Sequence, residues 1–195
     1  KFRGPEGRCD AAHMTIEMEW LRFVTVISAS GSIMHCADSD TFDFVTLRCR
    51  NLRNPWKEAA SKKRLLSKLK AAKKSLGLSV AAYVVLDDHA HFLLRGPEGQ
   101  AGATLMEELR GGFFDDCDKE NVPVAMPELE YRALSGALQA RAHLDFIHYE
   151  PVLHGLVERA VDYDWSSFPT RVLQGHYPEN WAAYAPPASL TRVHL

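Results

Sequence analysis

Length, composition and charge limit the classes of protein to which this chain can belong. Its 195 residues suit one domain with a sizeable core, and 46% hydrophobic with 25% charged residues is typical of a globular protein. The net charge of −2 excludes a uniformly basic surface, so any basic patch must be local. Four widely spaced cysteines without a C-x-x-C pair suggest neither a disulfide framework nor a zinc site, and they predict a reducing, cytoplasmic environment. No apolar run reaches the length of a membrane span.

The first half of the chain predicts an extension followed by a strand and a helix. Residues 1–41 show no clear period apart from a candidate strand at Trp20–Ser28, and we place a domain boundary at their end. Apolar and polar side chains alternate over Phe44–Arg50, which predicts a half-buried strand. A helix is predicted from about Trp56 to Leu76, because leucines recur at helical spacing and Gly77 can end it as a cap.

The predicted helix concentrates positive charge. It holds eight of the 23 basic residues of the chain and a single acidic residue, Glu58. Such a run is usually a solvated helix face, and it also fits a surface that follows a nucleic-acid backbone, so both interpretations stay open. The candidate DNA-binding residues are Lys57, Lys63, Arg64, Lys70 and Lys74.

A hairpin with two histidines on one strand is predicted at the centre of the chain. Val80–Leu86 is apolar and β-branched, Asp87-Asp88 has turn chemistry, and the chain returns as a second strand. Alternate side chains of a strand point to the same face, so His89 and His91 project side by side. Two such imidazoles can hold one divalent metal if a third ligand comes from elsewhere, although most isolated H-x-H pairs have no such role.

The second half predicts mainly helices. Thr104–Arg110 is a short helix, and residues 113–126 are an acidic loop with one short strand at Val122–Met126. A longer helix is predicted from Pro127 and ends before Pro151, because the residue before a proline resists α geometry. The order of elements predicts an α+β domain with an antiparallel or mixed sheet and helices packed on it.

Three motifs follow the hairpin in the sequence: EPVLHGLV, DWSSF and GHYPENW. Together with VVLDDHAH they resemble, in order and spacing, the REP-associated tyrosine transposases, which are HUH-type single-strand DNA transposases. The resemblance covers roughly residues 42–183 and implies a ferredoxin-like antiparallel sheet with helices on one face. It leaves residues 1–41 as an N-terminal extension and residues 184–195 as a C-terminal tail.

The resemblance also implies a function. Family members bind single-stranded DNA that folds into a hairpin, the REP palindrome, and they act in the bacterial cytoplasm at the nucleoid, away from membranes. Both a monomer and a dimer stay open. A tyrosine attacks the phosphodiester and leaves a 5′-phosphotyrosine, while magnesium or manganese is held by the two histidines and a residue one helical turn after the tyrosine.

These family positions fall on specific residues of this chain. The metal ligands correspond to His89, His91 and Glu150, and a carboxylate suits a hard cation. The nucleophile corresponds to Phe146, which has no hydroxyl and cannot attack phosphate. Tyr149 is the nearest spare hydroxyl, with packing as its ordinary role.

Two neighbouring histidines carry no family role in the reaction. His148 corresponds to a structural histidine and His154 to a loop position. The aromatic and basic strand of the family is not found in residues 113–126, which predicts that the sheet has lost a strand.

Three functional interpretations follow from this comparison of residues. The first is a protein that keeps metal and DNA binding but has lost cleavage at Phe146. The second is an active transposase that uses Tyr149, or one whose tyrosine was replaced by phenylalanine to trap a substrate. The third is a non-catalytic protein that binds structured single-stranded DNA through the basic helix.

Overall fold

The computed structural model of the protein describes residues 41–49, 54–95, 101–105, 107–109 and 127–193. The strands are β1 (Thr41–Cys49), β2 (Ser79–Val85), β3 (His89–Arg95) and β4 (Pro127–Ser135). The α-helices are α1 (Ala59–Leu76), α2 (Ala137–Leu153) and the short α3 (Phe168–Leu173). Residues 101–105 and 107–109 are also helical, and 3-10 turns lie at Ala160–Asp162 and Ala188–Arg192. The candidate strands at Trp20–Ser28 and Val122–Met126 lie outside the described residues.

The four strands form one antiparallel sheet in the order β2-β3-β1-β4. Between β1 and β3 the register pairs Thr46 with His91 and Arg48 with His89. Between β1 and β4 it pairs Thr46 with Glu130. Paired residues project to the same face, so the face that carries the two histidines also carries Thr46, Arg48 and Glu130. The predicted α+β class and the antiparallel sheet are confirmed.

Helix α1 follows the predicted pattern closely. Leu65, Leu69 and Ala72 are buried at helical spacing, and Gly77 ends the helix with a left-handed φ of 65°. One of its lysines, Lys62, differs from the others because its side chain is buried. Its ammonium group lies 2.7 Å from Asp87 and donates a hydrogen bond to the hydroxyl of Tyr163 at 3.1 Å. This pair joins the helix to the turn of the hairpin.

Strand β4 corrects two predictions. The helix predicted from Pro127 is wrong, because Pro127–Ser135 pairs along its length with β1. The predicted loss of a sheet strand is wrong for the same reason. Glutamate, leucine, arginine and alanine favour helices locally, but pairing with β1 overrides that preference. Gly136, with φ of 83°, then separates the strand from α2.

Helix α2 does not end before Pro151, as the sequence predicted, but continues to Leu153. Proline disfavours helix in the preceding residue, yet Glu150 and Pro151 are both buried and stay helical. The backbone of the last turn finds partners beyond the proline, since the N–H groups of His154 and Leu156 donate to the carbonyls of Glu150 and Pro151 at 2.9 Å. Burial and these bonds hold the helix through the proline.

Helical residues lie against both faces of the sheet, whereas the sequence predicted one. On the histidine face, α2 packs Phe146 and Ile147 against Phe44 and Leu93. The opposite face is also buried, and its Asp43 accepts a hydrogen bond from the backbone N–H of Gly102 at 2.7 Å. A sheet that is apolar on both faces requires such cover on both sides.

The segment after α2 is fastened to the sheet and to the helix. The N–H of Val85 in β2 donates to the carbonyl of Trp165 at 2.9 Å, and the N–H of Ser167 donates to the carbonyl of Tyr83 at 3.0 Å. Further on, Asp145 of α2 accepts three side-chain hydrogen bonds, and these come from Arg141, Tyr177 and Ser189. The C-terminal region therefore stabilises α2 through the hydrogen bonds that Tyr177 and Ser189 donate to Asp145.

All described residues belong to one unit that spans residues 36–195. The domain boundaries at residues 41 and 183 stay predictions. No helix within the described ranges is both long enough and apolar enough to cross a membrane.

Candidate metal centre and its cleft

Two histidines of β3 and one glutamate of α2 converge at a single point. The Nε2 atoms of His89 and His91 each lie 3.1 Å from the same carboxylate oxygen, Oε1 of Glu150. All three side chains are buried, with Glu150 only 2% exposed. The strand alternation of β3 places both imidazoles on the face that α2 covers, and α2 brings the carboxylate to them. The three candidate ligands of the sequence are therefore neighbours in space.

The other ring nitrogen of each histidine has its own partner. His89 Nδ1 donates to Asp88 Oδ1 at 2.7 Å, since an ionised carboxylate can only accept. His91 Nδ1 lies 3.0 Å from the hydroxyl of Thr46. Such partners fix the orientation of metal-binding histidines and leave Nε2 as the atom that faces the metal. Asp88 and Thr46 thus hold the two rings in the orientation that a metal site requires.

The ionisation of these groups is coupled. Burial alone lowers the pKa of His89, but the hydrogen bond and charge of Glu150, aided by Asp88, outweigh it and raise the pKa above its usual value. Burial alone raises the pKa of Glu150, but hydrogen bonds from His89 and His91 reverse the effect and lower it. The carboxylate is therefore held in its charged form, as a metal ligand must be.

The donor set fits a divalent cation. The second oxygen of Glu150, Oε2, is buried and has no hydrogen-bond partner among the described residues. A buried carboxylate oxygen without a partner is costly unless a cation or a water satisfies it. Two imidazole nitrogens and one carboxylate are a common donor set for divalent metals.

Phe146 lies one helical turn before Glu150 and forms a wall of the same site. Its ring is 7% exposed, with its centroid 5.7 Å from that of His91 and 6.2 Å from that of Phe44. Residues four apart on a helix share a face, which explains why both reach the histidines. The position is that of a side chain that would face a group bound at the metal, but the phenyl ring offers no nucleophile.

A cleft of about 450 Å³ opens beside these residues. Polar side chains of β1 and β4 form its floor, namely Thr46, Arg48, Glu130 and Arg132, and α2 forms its wall. The sequence analysis missed the two arginines as site residues. The alternation of β1 shows that Arg48 faces away from the apolar side, but the position of Arg132 depends on a strand that was predicted as helix.

Known sequences and solved structures resemble this chain, while a scan against protein-family models finds no match. The chain is 31% identical over 111 residues to the REP-associated tyrosine transposase of Escherichia coli K12. It is 34% identical over 114 residues to a Haemophilus influenzae relative of the same family name. These matches cover 56% and 51% of this chain but 66% and 64% of the relatives, so the chain spans about two thirds of their length. A solved REP-associated tyrosine transposase bound to a REP hairpin matches with a TM-score of 0.62 and 28% identity, over 73% of this chain and 85% of that one.

The chain belongs to the REP-associated tyrosine transposase family. The sequence analysis gave Tyr149 as the nearest hydroxyl that could substitute for the missing nucleophile. Its side chain is buried and its ring contacts Trp181, with 6.2 Å between centroids. Tyr149 is not among the residues that line the cleft. The structure therefore brings Phe146, and not Tyr149, to the candidate metal centre.

The five candidate DNA-binding residues of the basic helix are exposed and separate from the cleft. Lys57 precedes α1, and Lys63, Arg64, Lys70 and Lys74 lie on it with their side chains in solvent. None of them is among the residues that line the cleft. Their role in this transposase-family chain stays a prediction.

The two neighbouring histidines differ in their surroundings. His148 is fully buried, its Nε2 lies 2.9 Å from the hydroxyl of Ser167, and it contacts the rings of Phe168 and Tyr177. This is the structural position that the family resemblance implies. His154 instead lies at the mouth of the cleft, with Nε2 3.8 Å from Oε1 of Glu150.

Proposed function

We propose that this protein binds hairpin-forming single-stranded DNA of the REP type next to a divalent metal, and that it does not cut this DNA. The observation that carries the proposal is the convergence of His89 and His91 on Glu150, with Phe146 beside them. The side chains that correspond to the family's metal ligands lie together, and the residue at the position of its nucleophile is a phenylalanine. Family membership supplies the class of DNA, because a solved relative is bound to a REP hairpin.

The metal proposed for this site is magnesium or manganese, held by His89, His91 and Glu150. When bound, such a cation withdraws charge from a phosphate oxygen and orients the phosphodiester. The protein supplies the remaining contacts. Arg48 and Arg132 on the cleft floor provide positive charge for neighbouring phosphates, and Asp88 and Thr46 keep the imidazoles oriented.

Loss of cleavage follows from the chemistry of one side chain. In the family reaction a tyrosine oxygen attacks phosphorus and displaces the 3′ oxygen, so position 146 needs a nucleophilic atom. Phe146 has none, and the buried Tyr149 packs against Trp181 and does not line the cleft. This geometry supports the interpretation with lost cleavage over the one in which Tyr149 acts.

A covalent-adduct assay tests the proposal. A labelled hairpin-forming single strand is incubated with manganese and either the natural chain or Phe146→Tyr, and adducts are separated on a denaturing gel. We expect an adduct with Phe146→Tyr alone, because tyrosine adds the missing oxygen to an otherwise complete site. The control Phe146→Tyr with His89→Gln should form none, since it keeps the hydroxyl and loses a ligand.

Binding is measured separately by fluorescence anisotropy of the same hairpin. The natural chain and Phe146→Tyr should bind it alike, because the substitution leaves the cleft floor unchanged. An adduct with the natural chain would refute the loss of cleavage, and Tyr149→Phe would then show whether that hydroxyl is responsible. Equal affinity for a hairpin and for an unstructured strand of the same length would refute the hairpin preference.

A further inference from the structure

A third imidazole lies within reach of the metal centre. His154 Nε2 is 3.8 Å from Glu150 Oε1, and the candidate ligand atoms of His89, Glu150 and His154 all lie within 4.8 Å of one another. The ring centroids of His89 and His154 are 5.2 Å apart. Ligands bound about 2.0–2.1 Å from one ion lie roughly 3–4 Å from each other, so a small rotation of one side chain completes the set.

The end of α2 fixes the backbone position of His154. It follows Glu150 by four residues, which places both on one face of the last turn. Its backbone N–H donates to the carbonyl of Glu150 at 2.9 Å, and Gly155, with φ of 65°, turns the chain away immediately afterwards. The backbone is thus anchored, while the side chain is 45% exposed and its ring contacts that of His89.

The residue lies outside the positions that the family resemblance assigns to the metal. A site of two imidazoles and an oxygen ligand is compatible with magnesium and manganese. A third imidazole changes which metal the site prefers, because nitrogen ligands suit zinc, iron, nickel and copper, whereas magnesium takes oxygen ligands. The identity of one side chain therefore affects which metal the site prefers.

We propose that His154 is a fourth metal ligand and that, by adding a third imidazole to His89, His91 and Glu150, it makes the site favour a nitrogen-preferring metal such as zinc. This inference rests on the proposed metal-binding function of the same site, and it changes the preferred metal from magnesium or manganese to a metal such as zinc. His154 at the mouth of the cleft places the fourth ligand on the side from which DNA approaches.

Calorimetric titration of the full chain with zinc and, separately, manganese tests the proposal. Zinc binds more tightly than manganese to almost any such site, so the order of affinities in the natural chain decides nothing. The informative quantity is the change caused by His154→Gln. Loss of an imidazole ligand should weaken zinc binding by about tenfold or more, and manganese binding by less than about threefold.

Two control variants separate the possible causes. His176→Gln changes a histidine of the C-terminal region whose ring faces Arg171, and it should leave both affinities unchanged. His89→Gln removes a ligand that the proposed function itself requires and should weaken both metals. Visible absorption of the cobalt-substituted protein gives a second readout, because loss of an imidazole changes the band positions without any assay of activity.

The outcomes distinguish the two proposals. If His89→Gln weakens both metals and His154→Gln leaves zinc affinity within about twofold, His154 is not a ligand and the narrower inference is wrong. If neither variant changes binding, or the natural chain binds no metal, the metal site itself is refuted. A selective loss of zinc affinity with the expected change in the cobalt spectrum supports the four-ligand site.

Discussion

Replacing Glu150 with glutamine removes the charge on which both imidazoles converge, and its effect can be calculated. Glu150 is 2% exposed and lies 3.1 Å from each Nε2 atom, so the substitution preserves shape while it removes the anionic ligand. A metal at 100 times its dissociation constant stabilises the folded state by about 2.7 kcal/mol. If the substitution weakens binding about 100-fold, the same concentration stabilises by only about 0.4 kcal/mol.

These energies translate into melting temperatures. A domain of this size shifts by roughly 2–4 °C for each kcal/mol, so the metal should raise the melting temperature of the natural chain by about 5–11 °C and that of Glu150→Gln by about 1–2 °C. The measurement is a thermal denaturation with manganese and with a chelator, each variant being compared with its own metal-free state. That comparison removes any effect of the substitution on stability itself.

The matched control is Glu158→Gln, which makes the same chemical change at an exposed glutamate a few residues further on. With this variant, the metal should raise the melting temperature as much as it does in the natural chain. A Glu150→Gln variant that also keeps the full increment would show that the carboxylate is not a ligand. An increment absent from all three proteins would refute the metal site as a whole.

Three further predictions concern α2 and the basic helix. Phe146→Ala should lower the free energy of unfolding by about 3–5 kcal/mol in a urea titration, because it empties a packed site. Phe146→Tyr should lower it by less than about 1.5 kcal/mol, because the ring borders the cleft. Asp145→Ala removes the acceptor of three hydrogen bonds and should lower the free energy of unfolding by about 2–4 kcal/mol. As a control, Asp162→Ala changes an exposed aspartate and should leave the urea midpoint near that of the natural chain. Neutralising Lys70 and Lys74 should reduce the salt dependence of hairpin affinity by about 0.7 in the logarithmic slope for each lost phosphate contact, and an unchanged slope would place the DNA elsewhere.

The parts of the fold that are specified locally were predictable from the sequence. The turn at Asp87 and Asp88, the apolar strands that flank it, and the glycine that ends α1 each depend on a few adjacent residues. In those segments the observed ends differ from the predicted ones by at most three residues. Helix α1 was also predicted correctly because its leucine stripe and its cap agree.

Strand β4 could not be predicted in this way, because its conformation depends on a distant partner. Leu129, Leu134 and Leu138 recur at intervals of five and four residues, which suggested a helix. The first two belong to a strand and the third to α2, on either side of Gly136. Only pairing with β1, some 85 residues earlier, determines that this segment is extended.

The candidate site likewise contains residues that could be predicted from local sequence and residues that could not. The shared face of His89 and His91 follows from strand period alone, and the family resemblance indicated Glu150. The partner of His91, Thr46, depends on the register between two strands and has no local signal. His154 had a local signal, its spacing of four from Glu150, but the family pattern gave that position no role.

Both edges of the sheet are protected against pairing with another molecule. Along β2, the backbone of Trp165 and Ser167 occupies hydrogen-bonding groups that would otherwise face outward. Along β4, no further strand pairs within the described residues, but Glu128, Glu130 and Arg132 give this strand charged side chains. Charge and covered edges are two of the ways in which proteins prevent edge-to-edge aggregation. Within the described residues, both edges of the sheet therefore carry a feature that disfavours pairing with a strand of another molecule.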